Sequence, residues 1–333
     1  MRRLNRPERT GCEETLLEST RQPYQPQMLS AEQAEDLFAT HGKTFHFAAR
    51  FFPARYRHEV VTLYAFFRVL DDLVDERTES WCAAEIRQEL DVWHAWFREG
   101  AVRAAPREPL GAALAVLVHD RRVPVAVFHD FLDGLISDLE PRAFQHFHEL
   151  SQYCYQVAGT VGLAMAHLLG VRSEQALTAA MHLGMAMQLT NILRDVGGDL
   201  AAGRIYLPCD ELERFGSSSA HLRQLYEKQQ GPDVRFCQLM RYQIGRARRY
   251  YLEGLHGVWL LTPECRLPIL LAGRLYQHIL VEIEHRHYDV LRGRAATNLL
   301  TKVREASIVF LLDRLWGRCE MDLSADLEAA YER

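Results

Sequence analysis

The chain has 333 residues, is 48% hydrophobic and 25% charged, and carries a formal net charge of −5. That is enough apolar material for one large or two ordinary soluble domains. The acidic balance argues against a general nucleic-acid binder, which presents a basic face. Seven cysteines lie far apart with no CxxC pair, which suggests neither a disulfide framework nor a zinc site and fits a reducing, cytoplasmic setting.

Residues 1–27 are polar and hold Pro7, Pro23 and Pro26, so a flexible tail is expected there, with a second tail over 321–333. Two arginines follow Met1 without an apolar run, which does not make a signal peptide. Prolines leave long free intervals over 54–105, 142–207 and 233–262, and alternation of β-branched residues is weak. The chain therefore reads as all-α, one bundle-like domain of about nine to twelve helices over 28–320. Helices are expected near 30–41, 55–76, 81–99, 109–120, 124–139, 145–170, 173–201, 233–256, 264–291 and 297–316. A phenylalanine-rich loop is expected from Gly42 to Pro53, and 210–230 reads as helical with a break at Gly216-Ser217-Ser218-Ser219. No uncharged apolar run reaches the roughly 18–20 residues of a spanning helix.

Two of these helices carry an unusual stripe. Each helical residue turns about 100°, so Gln188, Asn191, Asp195 and Asp199 share one face. In the helix at 55–76, Tyr64, Arg68, Asp71 and Asp75 do the same, with Asp72 at the edge. One DxxxD pair is ordinarily a solvated face. Here both stripes are set among apolar neighbours, and enclosed carboxylates are costly unless a cation meets them. Hard oxygen donors without His or Cys suit Mg²⁺, with Mn²⁺ as the alternative. Two such clusters facing each other across a cavity would clamp a diphosphate, with Arg68, Arg194 and Arg204 adding donors. That arrangement ionises an allylic diphosphate and leaves a carbocation, which needs a dry cavity with aromatic faces. Phe45, Tyr64, Tyr153 and Tyr288 could supply such faces. Ala158, Gly159 and Gly162 either leave room for a hydrocarbon chain or let two helices pack closely.

Three blocks carry a family resemblance: Leu63-Tyr64-Ala65-Phe66-Phe67-Arg68 running into Asp71-Asp72-Leu73-Val74-Asp75; Tyr153 to Gly162; and Ala186 to Asp199, followed by Gly203-Arg204-Ile205-Tyr206-Leu207-Pro208. With these in this order, the chain resembles the squalene/phytoene synthase family over about residues 41–295. The resemblance implies an all-α isoprenoid-synthase fold around a central cavity that takes two prenyl diphosphates with Mg²⁺. It further implies that Asp71 and Asp75 hold one metal cluster, and Asp195 and Asp199, with Asn191, the other. Tyr64, Arg68, Tyr153, Gln188, Asn191 and Arg194 would act at the reacting centre. Thr44, Phe45, Val157, Gly162, Arg204, Tyr206 and Tyr288 would line the substrates. Three positions depart from the family pattern: Gly42 lacks the expected hydroxyl, Gly198 replaces an acid, and His287 stands where glycine is usual.

The resemblance leaves the chain length open. Two C20 geranylgeranyl diphosphates joined to phytoene without a reductant fit the texture of 150–210 best. The alternatives join two C15 farnesyl diphosphates to squalene with NADPH, or stop at presqualene diphosphate or dehydrosqualene. Outside the family, a di-iron bundle would need two Glu-x-x-His motifs, and only Glu282-x-x-His285 is found. His119-Asp120 and His129-Asp130 lack the further ligands of a phosphohydrolase. A prenyl-binding protein without catalysis is the remaining different class. Arg241, Arg246, Arg248 and Arg249 read as a basic helical patch, either solvated or set against anionic lipid in a peripheral membrane contact. A monomer or homodimer without nucleic acid is expected.

Overall fold

The computed structural model describes residues 31–75, 82–101, 105–107, 109–140, 142–295 and 299–316. The two expected tails lie outside these residues. Among them every regular element is helical, apart from one isolated bridge between Ala143 and Ile205. The first half runs α1 Ala31–His41, α2 Lys43–Ala49, α3 Ala54–Asp75, α4 Ala83–Arg98, α5 Leu110–Arg121, α6 Val125–Ser137 and α7 Phe147–Cys154. After a π-helical turn at Tyr155–Gly159 come α8 Thr160–Leu168, α9 Glu174–Ala201, α10 Cys209–Arg214 and α11 Ser219–Glu227. The chain closes with α12 Val234–His256, a 3₁₀ turn at Gly257–Leu260, α13 Pro263–His285 and α14 Leu299–Trp316.

Three expectations about elements are corrected. The supposed loop after Gly42 contains α2. Seven residues are too few for a stable isolated helix, but Ala48 and Ala49 are buried and Phe45 reaches the core, so packing makes the helix. The expected helix 145–170 is interrupted by the π turn. The helix from 264 stops at His285, because His287 and Tyr288 take φ of 53° and 64°. That left-handed backbone explains why glycine is the usual residue at His287.

Two apolar cores form. One gathers α3, α4, α5 and α6, with Phe66 at the centre of an aromatic cluster that includes Trp93, Phe97 and Phe128. The other gathers α9, α12 and α13 around residues such as Leu189, Tyr251 and Leu275. Phe45, Leu261 and Ile269 pack against both. The seam between the cores therefore runs along α2 and α13, and there the two polar stripes meet.

Helix α9 is the longest element, 28 residues capped by the Ser173 hydroxyl. It approaches its neighbours through glycines. A Cβ at Gly184 would stand 2.2 Å from the Ala158 carbonyl oxygen, and one at Gly162 would stand 2.2 Å from that of Ala180. The π turn fits a notch on α6, where a Cβ at Gly134 would come within 2.9 Å of both Gln156 and Val157.

Candidate active site

The stripe on α3 begins with Tyr64, which packs on Phe38 at a ring separation of 4.2 Å. Burial drives its hydroxyl up to about 12, against the pull of Arg68, so it stays protonated at neutral pH. Arg68 donates to Asp71 at 3.2 Å and also pairs with Asp72. Burial works against the Arg68 charge, but Asp71 and Asp72 outweigh it and raise its pKa. The Arg68 Nε is enclosed and has no hydrogen-bond partner among the described residues. Asp75 ends the helix on the same face, and its carboxylate lies outside the described side chains.

On α9, Asn191 donates to Gln188 at 3.2 Å. Asp195 is gripped from two sides. Arg194 donates to its two oxygens at 2.9 and 2.7 Å, and Arg294 to the same pair at 2.6 and 2.7 Å. Burial pushes the Asp195 carboxyl up, yet these guanidinium hydrogen bonds hold it below the usual carboxylate range. Burial also opposes the Arg194 charge, which the Asp195 contact restores.

The stripes are joined across the seam through Tyr276 of α13. Its hydroxyl donates to Asn191 Oδ1 at 3.0 Å, and its ring stacks on Phe45 at 4.9 Å. It also lies close enough to raise the Tyr64 pKa. Thr44 sits half-buried beside Phe45. Gly42 has its own reason: a Cβ there would stand 2.7 Å from the Tyr64 hydroxyl. No side chain fits at that position while Tyr64 holds its place.

A further cluster lies below Asp199. Tyr153 is buried and donates to Asp138 at 2.6 Å, while its ring stacks on Tyr206 at 5.4 Å. Burial first, and Asp138 second, raise the pKa of both phenols. Arg204 and Asp199 lie within electrostatic reach of Tyr206. Among the described residues, no three His, Cys, Asp or Glu side chains gather into one metal cage. The acids stand instead as two groups on two helices.

A family model described as squalene/phytoene synthase matches residues 38–301. The chain belongs to the squalene/phytoene synthase family. A phytoene synthase of Arthrospira platensis is 37% identical over 279 residues, covering 80% of this chain and 87% of that protein. A 15-cis-phytoene synthase of a Synechocystis strain is 34% identical over 276 residues, 79% of each chain. Among solved structures, a dehydrosqualene synthase in complex with a ligand superposes with a TM-score of 0.74 at 30% identity, over 85% of this chain and 95% of that one. A squalene synthase of Alicyclobacillus acidocaldarius, at 24% identity and a TM-score of 0.68, shares the fold over 78% of this chain and 94% of its own. Like the rest of the squalene/phytoene synthase family, this protein is a prenyltransferase that uses prenyl diphosphates.

Within that frame the structure brings together Tyr64, Arg68, Asp71, Phe45, Gln188, Asn191, Arg194 and Asp195. Tyr153, Arg204 and Tyr206 form the adjoining cluster. Of the two readings of Gly162, close packing holds, against the α9 backbone. The Tyr288 hydroxyl accepts from Arg241 Nε of α12 at 3.3 Å. One expectation is overturned. The basic patch does not exist as one surface, because Arg246 is buried against Glu211 and Arg248 pairs with Glu284 at 2.6 Å. Val157 is half-buried on the π turn and touches α6 at Gly134. Sequence reasoning missed Tyr276, Arg294 and Asp138. Tyr276 left a faint signal, a phenol amid the apolar run of α13. Arg294 left none, since a loop brings it back to Asp195 from 99 residues away.

Proposed function

We propose that this chain condenses two C20 prenyl diphosphates head to head, giving phytoene through a cyclopropylcarbinyl diphosphate. The observation that supports this most is the pair of acidic stripes on α3 and α9, bridged by Tyr276 and edged with arginines. Their donor set is hard oxygen, and Arg68 holds an unfilled enclosed N–H. That combination suits Mg²⁺ together with phosphate oxygens. Asp71 and Asp75 on one side, and Asn191, Asp195 and Asp199 on the other, would hold the ions, which supply charge neutralisation to the leaving diphosphate.

The protein's own groups do the remaining work. Arg68, Arg194 and Arg294 bind and orient phosphate oxygens with paired donors. Phe45, Tyr64 and Tyr276 give the allylic cation aromatic faces and exclude water. The Tyr64 hydroxyl, protonated at neutral pH, is a weak nucleophile and does not trap the cation. The second double bond attacks the cation, and the proton that leaves passes to the released diphosphate. A second ionisation releases the remaining diphosphate, the cyclopropylcarbinyl cation rearranges, and loss of a second proton to diphosphate yields the hydrocarbon.

Incubation with C15 or C20 diphosphate, Mg²⁺, and NADPH present or absent, tests this by mass spectrometry of the products. Phytoene from C20 substrate without NADPH is the expected result. Product from C15 substrate alone would overturn the chain length and favour the dehydrosqualene type, which the 30% identical neighbour represents. Asp71→Asn and Asp195→Asn should each lower diphosphate release about a thousandfold or more. Release that survives either change, or a chelator, would remove the metal role.

A further inference from the structure

The two ends of the bundle differ in chemistry. The acidic stripes occupy the late turns of α3 and α9. At the opposite end four corners come together: the α2–α3 corner, the α5–α6 corner, the α8–α9 corner and the 3₁₀ turn before α13. Arg55 pairs with Glu264, Arg121 grips Glu59 at 2.7 Å, and Arg172 donates to the Arg121 carbonyl at 2.7 Å. Asp71 lies sixteen residues along α3 from Arg55, about 24 Å away.

This far end is cationic and greasy at once. Over residues 50–59, 119–124, 170–174 and 256–266 there are seven arginines against four acids, in a chain whose net charge is −5. Phe51 is 41% exposed and Leu260 47%. Glu305 of α14 accepts from Arg274 and His278, which packs α14 against α13 and leaves Phe310 and Leu311 of α14 44% and 59% exposed. Arg50 and Arg57 are exposed beside Phe51, and Arg57 braces the corner by donating to the Arg50 carbonyl at 2.8 Å. Large apolar side chains left in water beside unbalanced arginines are the signature of an interfacial surface.

We propose that this end, centred on Phe51 and Leu260, docks on an anionic lipid bilayer. The apolar side chains enter the headgroup region, and the arginines answer the lipid charge at about 1 kcal/mol each. The acidic end then faces water, where diphosphate and its ions come and go. The choice of occupant rests on the reading of the substrates as prenyl diphosphates, whose tails and hydrocarbon product partition into membranes. The same end suits lipid better than the α12 arginines do, since of those Arg246 is buried against Glu211 and Arg248 is paired with Glu284.

Flotation of the full chain with phosphatidylcholine vesicles, with and without phosphatidylglycerol, tests the proposal. The native protein should float only with the anionic vesicles and be released by high salt. Phe51→Glu with Leu260→Glu, and separately Arg50→Glu with Arg57→Glu, should each cut the bound fraction about tenfold or more. Phe51→Ser with Leu260→Ser serves if circular dichroism shows the glutamate pair misfolded. Diphosphate release in detergent micelles, measured alongside, should be unchanged in all these variants. Because the two assays are read independently, failure of the catalytic reading is distinguishable from failure to dock. Native protein that does not float, or variants that float as it does, would overturn the proposal. So would a concentration-dependent dimer abolished by the same changes without any flotation, which would assign the surface to a second copy.

Discussion

At the scale of single residues, the site depends on one clearance. Gly42 is buried against the Tyr64 hydroxyl and the Phe38 ring, at 2.7 and 2.9 Å from where a Cβ would stand. Gly42→Ala must displace one of those rings, and overpacking of this kind costs about 1–3 kcal/mol. The expected outcome is a lower unfolding temperature together with lost turnover, since Tyr64 shares the α3 stripe with Arg68 and Asp71 and is proposed to face the reacting centre. Tyr64→Ala in the same chain should return stability without returning activity. A double-mutant cycle by thermal unfolding measures this directly. Coupling of about 1 kcal/mol or more is expected, and additive effects would show that Gly42 and Tyr64 do not compete for space. The absence of a hydroxyl at this position thus has a steric cause, which the sequence motif alone could not supply.

At the scale of elements, two of the three glycines of α9 have opposite meaning. Gly184 presses on the backbone of the π turn, whereas a Cβ at Gly198 would meet nothing within 4 Å. Gly184→Ala should therefore destabilise by about 2 kcal/mol or more. Gly198→Ala should stabilise by about 0.5–1 kcal/mol, because alanine is the better helix former. Denaturant midpoints of the two single variants check both signs. The junction of α13 and α14 is held differently, by Glu305, which is 1% exposed among Arg274, His278 and Arg304. Burial alone would raise its carboxyl, but His278 and Arg274 bring it down to about 2. A carboxyl depressed in the folded state adds stability above its unfolded pKa of about 4.3, and loses it as pH falls through about 2. Between pH 5 and pH 2 this one group should remove about 3 kcal/mol of α14 docking. Hydrogen exchange of the α14 amides in native protein and Glu305→Gln reads the effect; equal acid sensitivity of the two would rule it out.

At the scale of the whole molecule, legibility followed the range of the forces involved. Helix positions, the all-α class and both acidic stripes are local periodicities, so Asp71 and Asp195 could be read directly from spacing. Contacts that depend on packing could not. Helix α2 forms only because Phe45 and Ala48 find the cores, and only the Ala180 carbonyl against Gly162 decides between spare volume and close packing there. Arg246 looked like surface charge until Glu211 was found facing it from another helix. Arg294 reaches Asp195 only because the loop after α13 turns back through left-handed residues. One consequence of the seam between the two cores concerns durability. Tyr64 belongs to one core and Asn191 sits on a helix of the other, and Tyr276 is the rivet between them. A small slip of one half against the other would part these groups while every helix stayed intact. Turnover should accordingly fade several degrees below the loss of helical circular dichroism on heating, and coincident curves would count against it. The catalyst would then wear out before the protein melts.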